Sequence, residues 1–271
     1  MTYNIIFLGT GGGRSVMADQ SRATGGIVFN FGKTQMHLDP GPGSLVRARE
    51  YNVDVTRNDI VLISHTHIDH NNDLNAIIDA MTIGGENKRG SLITTKVVVN
   101  GNDKHVPILS SYHRNCLKDV FILEAGKQVK MNNIIIKGLR TFNHGGDNIG
   151  FKFFTNEFVL SYTSDTDYSK DLAIEHKGSD VIIVNNQRTE AKRLKGYMDS
   201  DKTIKLLQEV KPKLAIITHF SRVMLDANPI YEAREIQKKS GIQVVAAQDG
   251  MIIDPLSYSA TLRQKILGSY S

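Results

Sequence analysis

Three histidines and one aspartate stand within six consecutive positions of the sequence, in the segment His65-Thr66-His67-Ile68-Asp69-His70. The whole chain of 271 residues contains nine histidines, so this local density is far above what chance would give. Burying three imidazoles and a carboxylate together without a cation would cost much desolvation free energy. Imidazole nitrogens and carboxylate oxygens are ligands of Zn²⁺ and other divalent metal ions. The segment therefore predicts a metal site.

An apolar strand predicted at residues 60–63 leads directly into this segment. Open α/β sheets place their ligand sites at the carboxyl ends of strands. Because side chains alternate along an extended chain, His65 and His67 are expected to point the same way. Asp69 and His70 follow where the chain turns toward a predicted helix, so they can face a second point. This arrangement predicts one metal ion per pair, and two ions that share a bridging oxygen lie about 3.5–4 Å apart.

The elements that position this segment are predicted from sequence patterns along the whole chain. Short β-branched or apolar runs predict strands at residues 4–8, 26–30, 35–38, 60–63, 96–99, 133–137, 150–154, 158–162, 181–184, 214–217 and 243–246. Apolar residues at helical spacing predict helices at residues 74–81, 203–210, 229–239 and 262–267. Asp199 or Ser200 is expected to cap the second helix, and Gly241 to end the third. The order predicts two mixed sheets face to face with helices outside, an α/β four-layer αββα sandwich. No composition shift divides residues 1–271, which are expected to form one domain.

Composition excludes several classes of protein. The single cysteine, Cys116, can form neither an internal disulfide nor a cysteine-rich zinc site, and a cytoplasmic location is the default expectation. No stretch approaches 18 consecutive apolar residues and the N-terminus lacks the basic region of a signal peptide, so no membrane association is expected. The net charge of +5 permits an anionic substrate without identifying one. A homodimer is expected because that state is the most frequent among soluble oligomers.

The pattern His65-x-His67-x-Asp69-His70 after a hydrophobic strand resembles the signature of the metallo-β-lactamase superfamily, in its dinuclear hydrolase branch. That family has a later lone histidine, then an aspartate after a strand, then a final histidine after another strand. His144, Asp165 and His219 stand at these places. The resemblance covers residues 4 to about 250 and fills every position of the family's ligand set.

The resemblance also implies how these side chains would divide between two divalent metal ions. One ion would be held by three histidines, which are His65, His67 and His144. The other would be held by Asp69, His70 and His219, with the carboxylate of Asp165 bridging the two. Asp69 and Asp165 are the carboxylates expected to take part in catalysis. A ligand set of imidazoles and carboxylates without thiolate suits Zn²⁺, and also Mn²⁺ or Fe²⁺.

Two glycine-containing turns are candidates to support the site. Asp39 ends a predicted strand, and in related enzymes an aspartate at this place orients a ligand histidine and fixes its tautomer. A simple turn aspartate is the alternative interpretation. The run from Gly9 to Arg14 resembles the glycine-rich first turn of the same superfamily, and it allows close approach of the backbone.

Contacts to the substrate are less well defined by the sequence. Tyr197 stands where many relatives place a histidine near the site, and Arg188 and Arg222 could bind phosphate oxygens. Surface positions are the alternative for all three side chains. The remaining histidines have no place in the family's pattern and are expected to be structural or solvent-facing; they are His37, His105, His113 and His176.

Details of the pattern narrow the expected reaction. Asp165, rather than cysteine, at the bridging position argues against a β-lactam hydrolase. The glycine-rich turn and the segments around Asp39, Asp165 and His219 resemble ribonuclease Z and related phosphodiesterases. However, His144 and Asp165 are only 21 positions apart, which leaves room for one hairpin and not for a tRNA-gripping arm. Residues 185–187 are Asn-Asn-Gln, where ribonuclease Z carries the His-Glu-Ala-Thr segment that it uses for proton transfer.

The resulting expectation is a phosphodiesterase for a small or cyclic anionic phosphodiester, acting by attack of a metal-bridging hydroxide on phosphorus. The similar cyclic phosphodiesterases commonly carry a further cysteine-bound zinc, which one cysteine cannot supply. The alternatives are a tRNA 3′-processing endonuclease of the ribonuclease Z type, and a lactonase or thioester hydrolase, since the same ligands serve acyl transfer. An inactive metal- or nucleic-acid-binding module is the non-enzyme alternative, against which the complete ligand set argues.

Overall fold

The computed structural model describes residues 2–258, and most of the predicted strands and helices are present in it. The strands are β1 (Thr2–Phe7), β2 (Ile27–Gly32), β3 (Thr34–Leu38), β4 (Ile60–Leu62), β5 (Ser91–Thr94), β6 (Asp119–Ile122), β7 (Gln128–Met131), β8 (Ile134–Arg140), β9 (Ile149–Phe154), β10 (Val159–Tyr162), β11 (Val181–Asn185), β12 (Leu214–Thr218), β13 (Gln243–Ala246) and β14 (Ile252–Ile253). They form two seven-stranded sheets, with the orders β14-β1-β2-β3-β4-β5-β6 and β13-β12-β11-β10-β9-β8-β7.

Each sheet is antiparallel in one half and parallel in the other. Strands β3 to β6 pair in parallel, and so do β10 to β13. Strand β9 pairs antiparallel with both β8 and β10. The carboxyl ends of β8, β10 and β12 therefore lie at the same edge of the second sheet, and the loops after them can meet.

The helices of the described residues are α1 (Arg14–Asp19), α2 (Ser44–Glu50), α3 (Ile68–Asn71), α4 (Leu74–Thr82), α5 (Lys96–Asn100), α6 (Ser111–Cys116), α7 (Lys170–His176), α8 (Ser200–Val210), α9 (Arg222–Asp226) and α10 (Pro229–Ser240). Asp199 caps α8 by accepting a hydrogen bond from the backbone of Lys202, and Gly241 ends α10 with a φ of 74°. Both caps agree with the sequence prediction. Within residues 2–258, no helix has the length and apolar character needed to cross a membrane.

The alternation of buried side chains shows why four layers form. Ile60 and Leu62 of β4 belong to the cluster between the two sheets, whereas Val61 belongs to a cluster with α4. In β11, Ile183 faces the other sheet and Ile182 packs with residues of α8 and α10. Parallel strands that are apolar on both faces need a covering layer on each side. The predicted αββα sandwich is confirmed.

Aromatic rings fill the space between the two sheets. The ring of Phe29 on β2 lies 5.2 Å from that of Phe153 on β9, and Phe31 packs edge-to-face on Phe158 at 5.1 Å. Such pairs contribute beyond the burial of their area, by about 0.5–1.5 kcal/mol each. This rigid contact between the sheets fixes the relative position of the loops at their edges.

Some predicted elements were wrong or were missed. Residues 96–99 were predicted as a strand, but Lys96–Asn100 form helix α5, because β5 already occupies the neighbouring place in the sheet. The valines of this helix, Val98 and Val99, are buried, which satisfies an apolar run equally well in a helix. Strands β5, β6, β7 and β14 were not predicted. The helix predicted at residues 262–267 lies outside the described residues.

Candidate metal centre

Loops that follow β4, β8, β10 and β12 converge beside the turn after β1. Several non-glycine residues in these loops adopt a left-handed backbone conformation, among them Asn143 (φ 57°), Ser164 (φ 55°) and His219 (φ 63°), and so does Asp39 (φ 49°) directly after β3. Such conformations are costly and tend to occur where function requires a particular side-chain direction. Their clustering here marks the edge at which the predicted ligands meet.

The first group of potential metal ligands contains His65, His67, His144 and Asp165, whose ligand atoms all lie within 4.8 Å of one another. Nδ1 of His67 is 2.9 Å from Nε2 of His65 and 3.2 Å from Nε2 of His144. Nε2 of His144 is 3.5 Å from a carboxylate oxygen of Asp165. His65 and His67 therefore converge on one point, as strand alternation predicted.

The second group contains Asp69, His70 and His219, again with ligand atoms within 4.8 Å of one another. Nε2 of His219 is 3.0 Å from Nε2 of His70 and 3.4 Å from a carboxylate oxygen of Asp69. Asp165 lies between the groups, since its carboxylate oxygens are 3.5 Å from His144, 3.8 Å from His70 and 3.5 Å from His219. The structure thus brings all seven side chains together at one edge of the two sheets.

Hydrogen bonds fix which imidazole nitrogens are free to bind a cation in the first group. Nδ1 of His144 is 2.9 Å from the carbonyl oxygen of Gly196, which can only accept, so Nδ1 carries the proton. Nδ1 of His65 donates to the hydroxyl of Ser64, because that hydroxyl donates its own proton to Asp39. The Nε2 lone pairs of His65 and His144 then both face Nδ1 of His67, which can donate to only one of them. A cation satisfies this surplus of lone pairs, so the donor set fits a metal ion.

Asp39 organises the second group in the same way. It is buried, and one of its oxygens lies 2.9 Å from Nδ1 of His70 and 2.9 Å from the hydroxyl of Tyr162. It also accepts hydrogen bonds from the backbone and hydroxyl of Ser64. Nδ1 of His70 must therefore donate, and its Nε2 faces His219. The contact predicted between Asp39 and a ligand histidine is present.

The electrostatics of the cluster favour a neutral imidazole at His65, in the first group, and a bound positive charge at His70, in the second group. Burial and the neighbouring imidazoles of His70, His67 and His144 hold the pKa of His65 well below its usual value. Burial also opposes the charged form of His70, but Asp69, Asp39 and Asp165 outweigh it and raise the pKa of His70 to about 10. Two buried carboxylates and one partly buried carboxylate around one imidazole thus bind a cation, either a proton or a metal ion.

The glycine-rich turn after β1 contacts the second group directly. The backbone N–H of Gly13 donates to Asp69 at 3.0 Å. A Cβ on Gly12 would lie 2.2 Å from Nδ1 of His219, so the imidazole occupies the space that a side chain would need. The sequence indicated close backbone approach at this turn, and the structure shows that the approaching group is His219.

A cleft of about 530 Å³ opens onto Asp69 and Asp165. Two of the candidate substrate-binding residues, Tyr197 and Arg188, line it, and the ring of Tyr197 packs edge-on against His144 at 4.7 Å. Arg222 does not line this cleft and instead forms an exposed ion pair with Asp19. Arg14, which the sequence analysis did not select, does line it. In the sequence, its position directly after the glycine-rich turn could have indicated that Arg14 lies near the site.

The segment that replaces the proton-transfer motif of ribonuclease Z also contacts the site. Nδ2 of Asn185 donates to a carboxylate oxygen of Asp165 at 2.8 Å, and Nε2 of Gln187 is 3.4 Å from Nδ1 of His219. Neither amide titrates, so this segment orients ligand side chains and does not transfer protons. His37 and His176 are fully buried away from both ligand groups, which agrees with a structural role.

With this geometry, comparison with known proteins identifies the family. The profile of the Beta-lactamase superfamily domain matches residues 34–220, which is more than half of the chain. An uncharacterized protein of Methanocaldococcus jannaschii is 35% identical over 259 residues, covering 95% of this chain and 97% of its own length. The chain belongs to the β-lactamase superfamily and has the metallo-β-lactamase fold, whose members include metal-dependent hydrolases.

Ribonuclease Z of Clostridium perfringens is 33% identical over 126 residues, which are 45% of this chain and 38% of that protein. Among solved structures, the metallo-β-lactamase fold protein YhfI from Bacillus subtilis superposes with a TM-score of 0.76 at 18% identity, covering 93% of this chain and 98% of its own. A diphosphatase of the PhnP family has a TM-score of 0.69 at 13% identity, covering 93% and 97%. At these identities the two structures show the fold alone.

Proposed function

We propose that this protein is a dinuclear metal-dependent phosphodiesterase that hydrolyses a small or cyclic phosphodiester. The observation that carries the proposal is the pair of ligand groups joined by Asp165, beside an open cleft. Two divalent ions held there, Zn²⁺ or else Mn²⁺ or Fe²⁺, would supply an activated water and positive charge for the phosphate oxygens. His65, His67 and His144 hold one ion, and Asp69, His70 and His219 hold the other.

Side chains of the cleft supply the remaining functions in this proposal. Arg188 binds a non-bridging oxygen of the substrate, because its guanidinium group lines the cleft and pairs with no carboxylate of the described residues. Burial raises the pKa of Tyr197, so its hydroxyl keeps its proton at neutral pH and can donate to the leaving oxygen. Asn185 holds the carboxylate of Asp165 in place. Substrate binding and leaving-group stabilisation thus come from one side of the cluster.

Two observations support a phosphodiester over other substrates of this fold. One relative is a ribonuclease Z and one structural neighbour is a diphosphatase, and both names refer to cleavage of phosphate linkages. The arginines that line the cleft, Arg14 and Arg188, form no ion pair with any described residue and favour an anion. The interval between His144 and Asp165 contains the hairpin of β9 and β10, which favours a small substrate over tRNA.

The test is hydrolysis of bis(p-nitrophenyl) phosphate by protein loaded with Zn²⁺, Mn²⁺ or Fe²⁺. The His67→Ala and Asp69→Ala variants are expected to lose activity by about 100-fold or more. His113→Ala and Asp180→Ala are matched controls outside both ligand groups and should retain activity. Absence of turnover with every metal would remove the proposal, as would equal activity in the ligand variants.

Maturation of tRNA 3′ ends is a second candidate, favoured by the partial match to ribonuclease Z. A precursor tRNA incubated with metal-loaded protein distinguishes it: a cleaved trailer would favour the endonuclease, and an intact precursor with active enzyme would exclude it. The same panel should contain a homoserine lactone and a glutathione thioester, since turnover of either with an inert phosphodiester would indicate acyl hydrolysis. Elemental analysis showing no bound metal would favour a non-enzymatic module.

A further inference from the structure

Asp167 lies two positions after Asp165 and outside both ligand groups, yet it is connected to His144 through a single residue, Gly196. A carboxylate oxygen of Asp167 accepts the backbone N–H of Gly196 at 3.0 Å. The carbonyl oxygen of the same Gly196 accepts Nδ1–H of His144 at 2.9 Å. The Asp167 carboxylate therefore holds Gly196 in place. Gly196 in turn fixes the tautomer and the direction of the His144 imidazole.

A lysine completes the connection on the other side of the carboxylate. Nζ of Lys202, in the first turn of α8, is 2.7 Å from the second oxygen of Asp167. The same ammonium group donates to the carbonyl oxygen of Tyr197 at 2.8 Å. Asp167 and Lys202 thus hold the backbone of two consecutive residues, Gly196 and Tyr197, against the site.

Gly196 is suited to this place for steric reasons. Its φ of 85° lies in the left-handed region, and a Cβ there would lie 2.5 Å from the carbonyl oxygen of Asn143. Only glycine can approach residues 143–144 so closely without displacing them. The close approach brings the ring of Tyr197 onto that of His144, at 4.7 Å between centroids.

The segment held in this way forms one wall of the cleft. Residues 190–195 are exposed, and the segment that contains them carries Arg188, Leu194 and Tyr197, which line the cleft. The attachments at Gly196 and Tyr197 are the points at which this wall joins the ligand group of His144. Loss of these attachments would therefore disturb the direction of His144 and the position of the wall together.

We propose that Asp167 is a positioning residue that couples cation binding at the His65–His67–His144 group to the position of the 188–197 segment, which forms one wall of the cleft. The proposal rests on the proposed function in taking His144 as a metal ligand. Asp167 touches neither substrate nor metal, and it acts through Gly196. A bound ion would hold His144 in the direction that keeps Gly196 in place, and Asp167 would hold Gly196 in the position that His144 requires.

The test uses Asp167→Ala in the full-length protein and measures zinc binding and loop exposure. Competition of the apo-protein with a chromophoric chelator should show two zinc sites in the wild type. In the variant one of the two should be weakened by about 10–100-fold, with the other unchanged. Limited digestion with trypsin should cleave the variant faster after Lys192, Arg193 and Lys195, which are exposed in the segment. In the wild type, zinc should slow this cleavage.

Asp180→Ala is the matched control. Asp180 also accepts a backbone N–H, that of Val159 at 2.9 Å, and pairs with a lysine, Lys213 at 2.7 Å, but it belongs to neither ligand group. Its removal should leave both zinc affinities and the tryptic pattern as in the wild type. If Asp167→Ala does not fold, Gly196→Ala and Lys202→Met test the same connection and should show the same selective loss.

Two results would overturn the inference. One is unchanged zinc affinity at both sites in all three variants, and the other is faster tryptic cleavage without weaker zinc binding. Either result leaves the proposed function intact, because that depends on turnover by the wild type. Conversely, the wild-type protein could bind two zinc ions, with zinc slowing tryptic cleavage of the segment, and yet hydrolyse no phosphodiester. That result would contradict the proposed function alone.

Discussion

The carboxylate of Asp39 lies 2.9 Å from Nδ1 of His70, and it reaches His65 as well through the hydroxyl of Ser64. One buried aspartate therefore fixes an imidazole in each of the two ligand groups. The residues concerned come from the end of β3 and from the loop after β4, which are neighbouring parallel strands. The pairing of these strands sets the relation between Asp39 and both histidines.

Asp39→Asn is expected to weaken metal binding at both groups, by about 10–100-fold. The amide can still accept the backbone N–H of Ser64. However, its NH₂ group would face Nδ1–H of His70 and the hydroxyl of Tyr162, so that donors meet donors. Zinc titration of the apo-protein measures the effect. The matched variant Asp180→Asn should bind zinc like the wild type, and equal affinity in both variants would show that Asp39 is only a turn residue.

Gly12→Ala is expected to displace His219, since the new Cβ would lie 2.2 Å from its ring. Metal binding at the group of Asp69, His70 and His219 should fall by about tenfold or more, with a loss of stability of roughly 1–3 kcal/mol. Zinc titration and urea unfolding measure these two effects. Gly146→Ala is the control, because a Cβ at Gly146 meets nothing within 4 Å. A Gly12→Ala variant with wild-type zinc affinity would contradict the steric argument.

Arg188→Met is expected to raise KM for bis(p-nitrophenyl) phosphate by roughly tenfold, because a charged donor to the phosphate is lost while the length of the side chain is kept. Steady-state kinetics over a range of substrate concentrations measure the change. Arg222→Met should leave KM unchanged, because Arg222 pairs with Asp19 and does not line the cleft. A larger effect at Arg222 than at Arg188 would reverse the assignment of the substrate-binding arginine.

The burial of His176 predicts that the free energy of unfolding depends on pH independently of the metal centre. Burial, with a smaller contribution from Lys152, lowers the pKa of His176 to about 3, whereas the unfolded chain has an ordinary value near 6.5. Between these values the unfolded state binds more protons than the folded state. The stabilisation by neutral His176 is therefore complete above pH 6.5 and is lost as the pH falls toward 3, by up to about 1.4 kcal/mol per pH unit.

His176→Gln should therefore make the free energy of unfolding fall less steeply between pH 6.5 and pH 4.5. Urea unfolding followed by circular dichroism at several pH values measures the slope. Ser179→Ala is the control, because Ser179 hydrogen-bonds in the same buried cluster but adds no titrating group. An unchanged slope in His176→Gln would contradict the assignment of a neutral buried imidazole.

Local sequence determined the components of the site. Three histidines and an aspartate after an apolar strand predict a divided ligand set, because alternation along a strand depends only on adjacent residues. The strands around the ligands were also predictable, since their apolar runs are short and closed by turn residues. The wrong prediction at residues 96–99 shows the limit of local sequence patterns. An apolar run indicates that a segment is buried, but it does not distinguish a buried strand from a buried helix. Here the segment is a helix because β5 already occupies the neighbouring place in the sheet.

Only the tertiary structure decided how the components meet. The approach of Gly196 to His144, of Gly12 to His219 and of Asp39 to His70 joins residues that lie 52, 207 and 31 positions apart in the chain. The tertiary structure also places Arg14, and not Arg222, in the wall of the cleft. The physical reason is that these contacts depend on strand order and on the packing of one sheet against the other. Both are set by the whole core and by no short segment of it.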